Sequence, residues 1–128
     1  MGNVTFSDVN DKFTATAAQW ACIRLEGLIE DFKNKLKPNE DYSCRVSSGC
    51  FVLEVDDVGF WNPDFVIFRG HTVDGARTQL SQHISQINLL LSAVPRFGNA
   101  PRKQIGFAHH DQAQAESTPS LHLTKTTI

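Results

Sequence analysis

The chain has 128 residues, 41% of them hydrophobic, which is enough for one domain with a core and too few for two. A formal net charge of −2 and a pI near 6.2 provide no global positive field, so duplex DNA is not an expected partner and any anion site must be local. With no leader-like segment, no apolar run of roughly 18 residues and no C-x-x-C pair among Cys22, Cys44 and Cys50, the chain reads as a reduced, cytoplasmic protein that avoids membranes.

Residues 13 to 36, FTATAAQWACIRLEGLIEDFKNKL, space Phe13, Ala17, Ala21, Leu25, Leu28 and Phe32 three and four apart, as one face of an amphipathic helix does. Lys37-Pro38-Asn39 stops it, and Lys33 and Lys35 suit the negative end of its dipole. From Tyr42 the period becomes two: Tyr42, Cys44 and Val46, a turn at Ser47-Ser48-Gly49, then Phe51, Leu53 and Val55, which predicts a hairpin. Cys44 and Cys50 read as two small strand residues, with a bridge between them as the alternative in an oxidising setting. A turn around Asn62-Pro63-Asp64 leads to FVIFRG, residues 65 to 70, apolar on both faces and so expected as a buried central strand. Asp74 before Gly75 reads as the N-cap of a second helix over residues 75 to 94, which Pro95 ends. PRFGNAPRK is loop by its glycine and prolines, and KQIGFA, Lys103 to Ala108, is expected as a last strand. The order helix, three strands, helix, strand predicts a two-layer α+β domain over residues 1–108 with a mostly antiparallel sheet. Residues 109–128 read as a polar C-terminal tail, in which the β-forming SLHLTKTTI, 120 to 128, could add a strand to a sheet edge.

The segment GARTQLSQHISQINLLLSAVPR followed by PRKQIGF resembles a family of small uncharacterised bacterial and phage-associated proteins, with the same amide-rich stretch, Val-Pro-Arg exit and closing Ile-Gly-Phe. The resemblance covers roughly residues 65 to 107. It implies a bacterial or phage context and, since no activity is assigned to that family, carries over no catalytic residue.

On a helical wheel Ala76, Leu80, Ile84, Ile87, Leu91 and Val94 fall within about 80° of one another and define a core face. Gln79, Gln82, His83 and Gln86 form one flank; Arg77, Ser81, Ser85, Asn88 and Ser92 form the other, and Leu89 projects outward beside the glutamines. Neither flank carries a carboxylate. Carboxamides can be buried against a partner without the desolvation cost of a charge, so the helix reads as an interface or ligand wall, with plain solvent exposure as the third option. Ser81, Ser85, Asn88, Leu89 and Ser92 are the expected self-association contacts, making the chain a homo-oligomer.

Arg96, Arg102 and Lys103 flank the loop FGNAP, and Arg77 opens the same helix, which could cradle a phosphate; the alternative is a solvated loop that complements the helix C-terminus. Trp61 at a strand end could stack on a base or cap the core. Catalytic patterns are missing. Asp56 and Asp57, adjacent on a strand, should face opposite ways; His109, His110 and Asp111 lack further regularly spaced metal ligands; only His71 near Asp74, with His83, could serve acid–base chemistry. No cofactor motif occurs. The expected function is therefore non-enzymatic: capture of a small anionic, nucleotide-derived ligand, that is, sequestration of a signalling nucleotide, by Arg77, Gln79, Gln82, His83, Gln86, Arg96, Arg102, Lys103 and Trp61. Arg77 and Arg96 would stand about 28 Å apart on one helix, so the ligand would have to be extended, with two phosphates, or arginines of two subunits would have to meet across an antiparallel helix pair. The alternative is a protein-interaction module whose amide-rich helix docks on itself or on a host protein.

Overall fold

Thr16 starts the helix by accepting the Gln19 amide on its side-chain oxygen, and α1 runs Ala17–Asn34. It buries Ala18, Cys22, Leu25 and Ile29, a set also spaced four, three and four, so the core-facing stripe is rotated from the expected one and Leu28 is left 56% exposed. The computed structural model describes residues 15–111, in which α1 packs on one face of a six-stranded, mostly antiparallel sheet. The expected strand at 120–128 lies outside the described residues.

β1 (Glu40–Ser48) and β2 (Phe51–Trp61) form the expected hairpin, and β3 (Phe65–His71) is the expected central strand, with Val66, Ile67 and Phe68 buried. The Lys103–Ala108 strand is displaced to β6, Gly106–Asp111, so the domain continues into what reads as tail. β6 is parallel to β2, and the path through the other strands is β4-β3-β2-β1-β5.

The second helix does not exist. Residues Arg77–His83 are strand β4, Ile84–Gln86 a single 3₁₀ turn, and Leu89–Pro95 strand β5. Leu80 and Gln82 face the helix side from β4; after the turn Leu89 and Leu91 face it from β5, with Ile84 and Ile87 packed on the core between them. Two period-two runs joined by a short turn thus mimic a spacing of three and four. Asp74, expected as an N-cap, instead closes the β3–β4 turn by accepting from the Thr72 hydroxyl, and Gly75 has φ of 89°, a left-handed value that favours glycine.

The sheet is strongly curled. In a flat sheet β4 and β1, three strand steps apart, would be separated by about 14 Å. Yet Gln82 Nε2 on β4 donates to the Ser47 carbonyl on β1 and to the Gln86 carbonyl, each at 3.2 Å. The concave face therefore holds the core, and the short link from β4 to β5 crosses it. At the other end of β2 the turn docks α1 and the link together: the Pro63 carbonyl accepts the Ala18 amide, and the Asp64 carbonyl accepts that of Ile84.

Between Val55 and Asp57 the register of β2 against β3 shifts, and Asp56 is the extra residue of a bulge. There Gly70 presses on the β2 backbone so closely that a Cβ would sit 1.8 Å from the Glu54 carbonyl oxygen. Gly70→Ala must displace backbone, and we expect a stability loss of about 1–3 kcal/mol or more by urea unfolding. A variant that unfolds like the wild type would show that this approach is not a constraint.

Candidate functional site

Cross-strand register sorts the side chains of the sheet. The concave face carries Val58, Phe60, Val66 and Phe68 under α1; the opposite face carries Trp61, Phe65 and His83 at one end and Glu54, His71 and Arg77 at the other, with Ile67, Asp57, Arg69 and Gln79 between. No described helix covers this second face.

At its aromatic end Trp61 pairs with Phe65, each 39% exposed, and the Phe65 and His83 rings meet edge to face at 5.6 Å. Ile67, next along the register, is buried outside the helix-side cluster, so this face has a small apolar patch of its own. His83 Nδ1 lies 3.1 Å from the Ser85 amide, which donates to it, and 2.8 Å from the Ser85 hydroxyl, while Nε2 lies 3.1 Å from Asp64 Oδ2.

At the charged end a depression of about 390 Å³ is lined by Asp56, Asp57, Arg69, Arg77 and Gln79. The bulge overturns the expectation for the two aspartates: both reach this depression instead of opposite faces. Asp56 Oδ2 lies 3.2 Å from His71 Nδ1, Asp57 Oδ1 accepts from Arg69 at 3.5 Å, and Arg69 Nε also donates to Gln79 at 3.1 Å. Beside it a wider hollow of about 1020 Å³ runs past Arg45, Glu54 and His71 to Cys50, Phe51 and Val73. Cys50 is exposed in the turn before β2, four residues from Glu54, which pairs with His71, so the two backbones are about 13 Å apart along the strand direction. His71 and His83 stand at opposite ends of β3, about 20 Å apart, so they do not act together.

Glu54 is the electrostatic centre. Its carboxylate accepts from Lys103 Nζ at 2.8 Å, Ser43 Oγ at 3.0 Å, Arg45 Nε at 3.1 Å and the Cys44 amide at 3.2 Å. Burial alone would raise its pKa, but the bonds from Lys103, Arg45 and Cys44, together with the charge of Lys103, hold it below the ordinary value. Burial, and then the charge of Glu26, pushes the Cys22 thiol up to about 12; Cys44 is pushed up to about 11, also chiefly by burial. All three cysteines are free, and Cys44 lies four residues down β1 from the last paired residue of the hairpin, too far from Cys50 to bridge.

Among the residues expected to read an anion, Arg77 and Gln79 share the smaller depression, and the rest are dispersed. Gln82 is 6% exposed on the concave face, and Gln86 supplies a backbone carbonyl to it. Arg96 donates to the carbonyls of Ala100 and Pro38, and Arg102 to those of Glu40 and Lys37, so both clamp the chain between α1 and β1. Lys103 is committed to Glu54, and Trp61 is at the far end of the face. The expected self-association flank dissolves too: Leu89 points into the core opposite Val46, Asn88 donates to Ser47, Ser85 sits in the 3₁₀ turn, and Ser81 and Ser92 lie on opposite edge strands. With the second helix gone, the helix-pair geometry that joined Arg77 to Arg96 goes as well. The sequence reading missed the Glu54 hub, whose only trace is an acid at an alternating strand position.

Among the described residues no His, Cys, Asp and Glu cluster suits a metal, and no helix is long and apolar enough to cross a membrane. Comparison with protein-family models, curated proteins and solved structures finds no match.

Two outcomes test these assignments. Arg102→Ala should lower stability by about 1.5–3 kcal/mol in chemical denaturation, because two charge-assisted bonds to backbone carbonyls are lost; unchanged stability would leave Arg102 open to a ligand role. A carboxylate with a depressed folded-state pKa stabilises fully above its unfolded value and ceases to do so as pH falls through the folded one. Stability should therefore drop as pH falls below the ordinary glutamate range, near 4.3, and Glu54→Gln should flatten that acid limb when melting is followed against pH.

Proposed function

We propose that the protein is a non-enzymatic protein-binding module and that its partner docks on the face of the sheet that no described helix covers. The observation that supports this reading is the composition of that face: Trp61 and Phe65 at one end and Arg69, Arg77 and Gln79 at the other, on adjacent strands, with Ile67 buried between them. Tryptophan, phenylalanine and arginine are the side chains that protein interfaces concentrate, because they combine large contact area with polar reach. The ion pairs serve specificity more than affinity. A partner must present acids to Arg69 or Arg77 and bases to Asp56 or Asp57, and like charges in those places would be rejected.

The small-anion reading needs several cationic groups converging on one point. In the smaller depression the two arginines are accompanied by two carboxylates, a balance that suits a mixed-charge protein surface better than a phosphate.

The test compares the full-length wild type with a Trp61→Ala, Phe65→Ala double variant in crosslinking from a native extract, with thermal melting as the fold control. A partner crosslinked through the Trp61–Phe65 and Arg69–Arg77 strands, and lost by at least about ten-fold in the double variant, is the expected result, equivalent to more than 1.4 kcal/mol. If crosslinking is indifferent to the double substitution while nucleotides raise the melting temperature by mass action, ligand capture replaces this proposal.

A further inference from the structure

The two edges of the sheet differ in kind. β4 begins with Arg77 and ends with His83 and is polar along its exposed face. β5, LLLSAVP, has no charge, and residues 84–95 contain none at all. A seven-residue, uncharged edge strand lacks the lysines, inward charges or early proline by which natural sheets protect such edges.

Its free hydrogen-bonding groups can be identified. The Asn88 carbonyl accepts the Ser47 amide, and the Arg96 amide donates to the Asn39 carbonyl, each one step beyond an end of the β1–β5 ladder and in its register. In an antiparallel ladder alternate residues bond to the same neighbour, so the even residues Leu90, Ser92 and Val94 turn their amides toward β1. The odd residues Leu89, Leu91 and Ala93 turn theirs outward, where no described strand pairs with them. Their side chains face the helix side, where Leu89 and Leu91 remain only partly buried, while Leu90 is 58% exposed on the other face.

We infer that β5 pairs antiparallel with β5 of a second copy of this chain, about a two-fold axis at Leu91. Self-pairing places every residue opposite one of its own segment, so any charge would meet its like or stand close to it; the absence of charge over residues 84–95 removes that obstacle. With the axis at Leu91, Leu91 faces its counterpart, Leu89 faces Ala93, and Leu90 faces Ser92, so apolar side chains meet on the helix side of both copies. The Ala93 amide donates to the Leu89 carbonyl twice per dimer, and Pro95, which has no N–H, ends the ladder. The joint uses an edge and leaves the open faces of both copies free, so it stands or falls separately from the proposed docking face.

Ala93→Pro tests the pairing cleanly. It removes a donor that points away from β1, so the ladder within the chain keeps its bonds. Sedimentation of the full-length wild type should show a monomer passing to twice that mass as concentration rises through the micromolar range. Ala93→Pro, and independently Leu90→Lys, should weaken that association by at least about ten-fold, with circular dichroism and melting of the dilute protein unchanged. In hydrogen exchange the amides of Leu89, Leu91 and Ala93 should gain protection with concentration, and those of Leu90, Ser92 and Val94 should be protected throughout. A wild type that stays monomeric at high micromolar concentration overturns the inference. So does a dimer that persists in both variants, or protection of the odd amides at every concentration, which would mean that the chain's own segments cover the edge.

Discussion

The carboxylate of Glu54 stands where one strand leaves the edge of β2 and another takes its place. β1 pairs with β2 from Ser48 to Arg45 and β6 pairs with it from Asp57 onward, on the same side, while β3 follows β2 along the other. Continuing the β1 ladder would carry the Cys44 amide to β2; instead the Glu54 side chain accepts it, and the Asp41 side chain accepts the next such amide, that of Tyr42, at 2.7 Å. Buried backbone donors must find acceptors, and two side-chain acids replace the missing strand. The incoming segment is tied into the same gap. Lys103 donates its ammonium to Glu54 and its amide to Asp41, and its carbonyl accepts the Tyr42 hydroxyl.

The two faces of the sheet follow from that exchange of partners. The bulge at Asp56 lies beside the changeover, twists β2, and sends Asp56 and Asp57 to one side. Lys103 reaches Asp56 as well as Glu54, at 3.7 and 2.8 Å, so the charge row on the open face is anchored to the junction that orders the strands. The curl that this junction helps to set closes the other face over α1 and allows Gln82 to reach β1. A ledger of single surface ion pairs would give such a row little weight, since exposed pairs contribute at most about 1 kcal/mol each. Its importance is that one partner, Glu54, is partly buried and accepts the Cys44 backbone amide.

Alternation made the first half of the chain readable. Tyr42, Cys44 and Val46, and then Leu53 and Val55, alternate because that side of each strand is the core side and the positions beside them, Ser43, Arg45, Val52 and Glu54, lie on the other, and FVIFRG is apolar on both sides because both of its faces carry buried residues. The second half failed for the same physical reason. Leu80, Ile84, Ile87 and Leu91 are all core-facing, and a strand, a tight turn and a strand can present core residues at intervals of four, three and four as a helix does. The discriminating signal was composition: threonine, serine, histidine and isoleucine make up six of the eleven residues from Arg77 to Ile87, while alanine, lysine and glutamate, the usual fillers of a helix surface, do not occur there. Three of the four backbone carbonyls that these arginines bind lie 58 to 65 residues away and leave no local pattern, so Arg96 and Arg102 resembled an anion cradle until the fold placed Lys37, Pro38 and Glu40 beside them.

The amide-rich, acid-free stretch therefore has several causes instead of one. Gln79 stands on the open face as a neutral partner for Arg69, which already holds Asp57, so a carboxylate there would crowd a second acid around one guanidinium. Gln82 must be neutral because it is buried and its Nε2 serves two backbone carbonyls, a role that needs a donor and that a glutamate would turn into repulsion between oxygens. Asn88 ties the start of β5 to the Ser47 hydroxyl at the rim of the sheet, on the side away from Val46 and Leu89. Beyond it the requirement changes from neutral polar to apolar, since Leu89 and Leu91 complete the core while Leu90 lies outside it. Buried amide, rim amide and bare leucine edge share only the exclusion of charge, and that shared exclusion is what made two strands read as a single face.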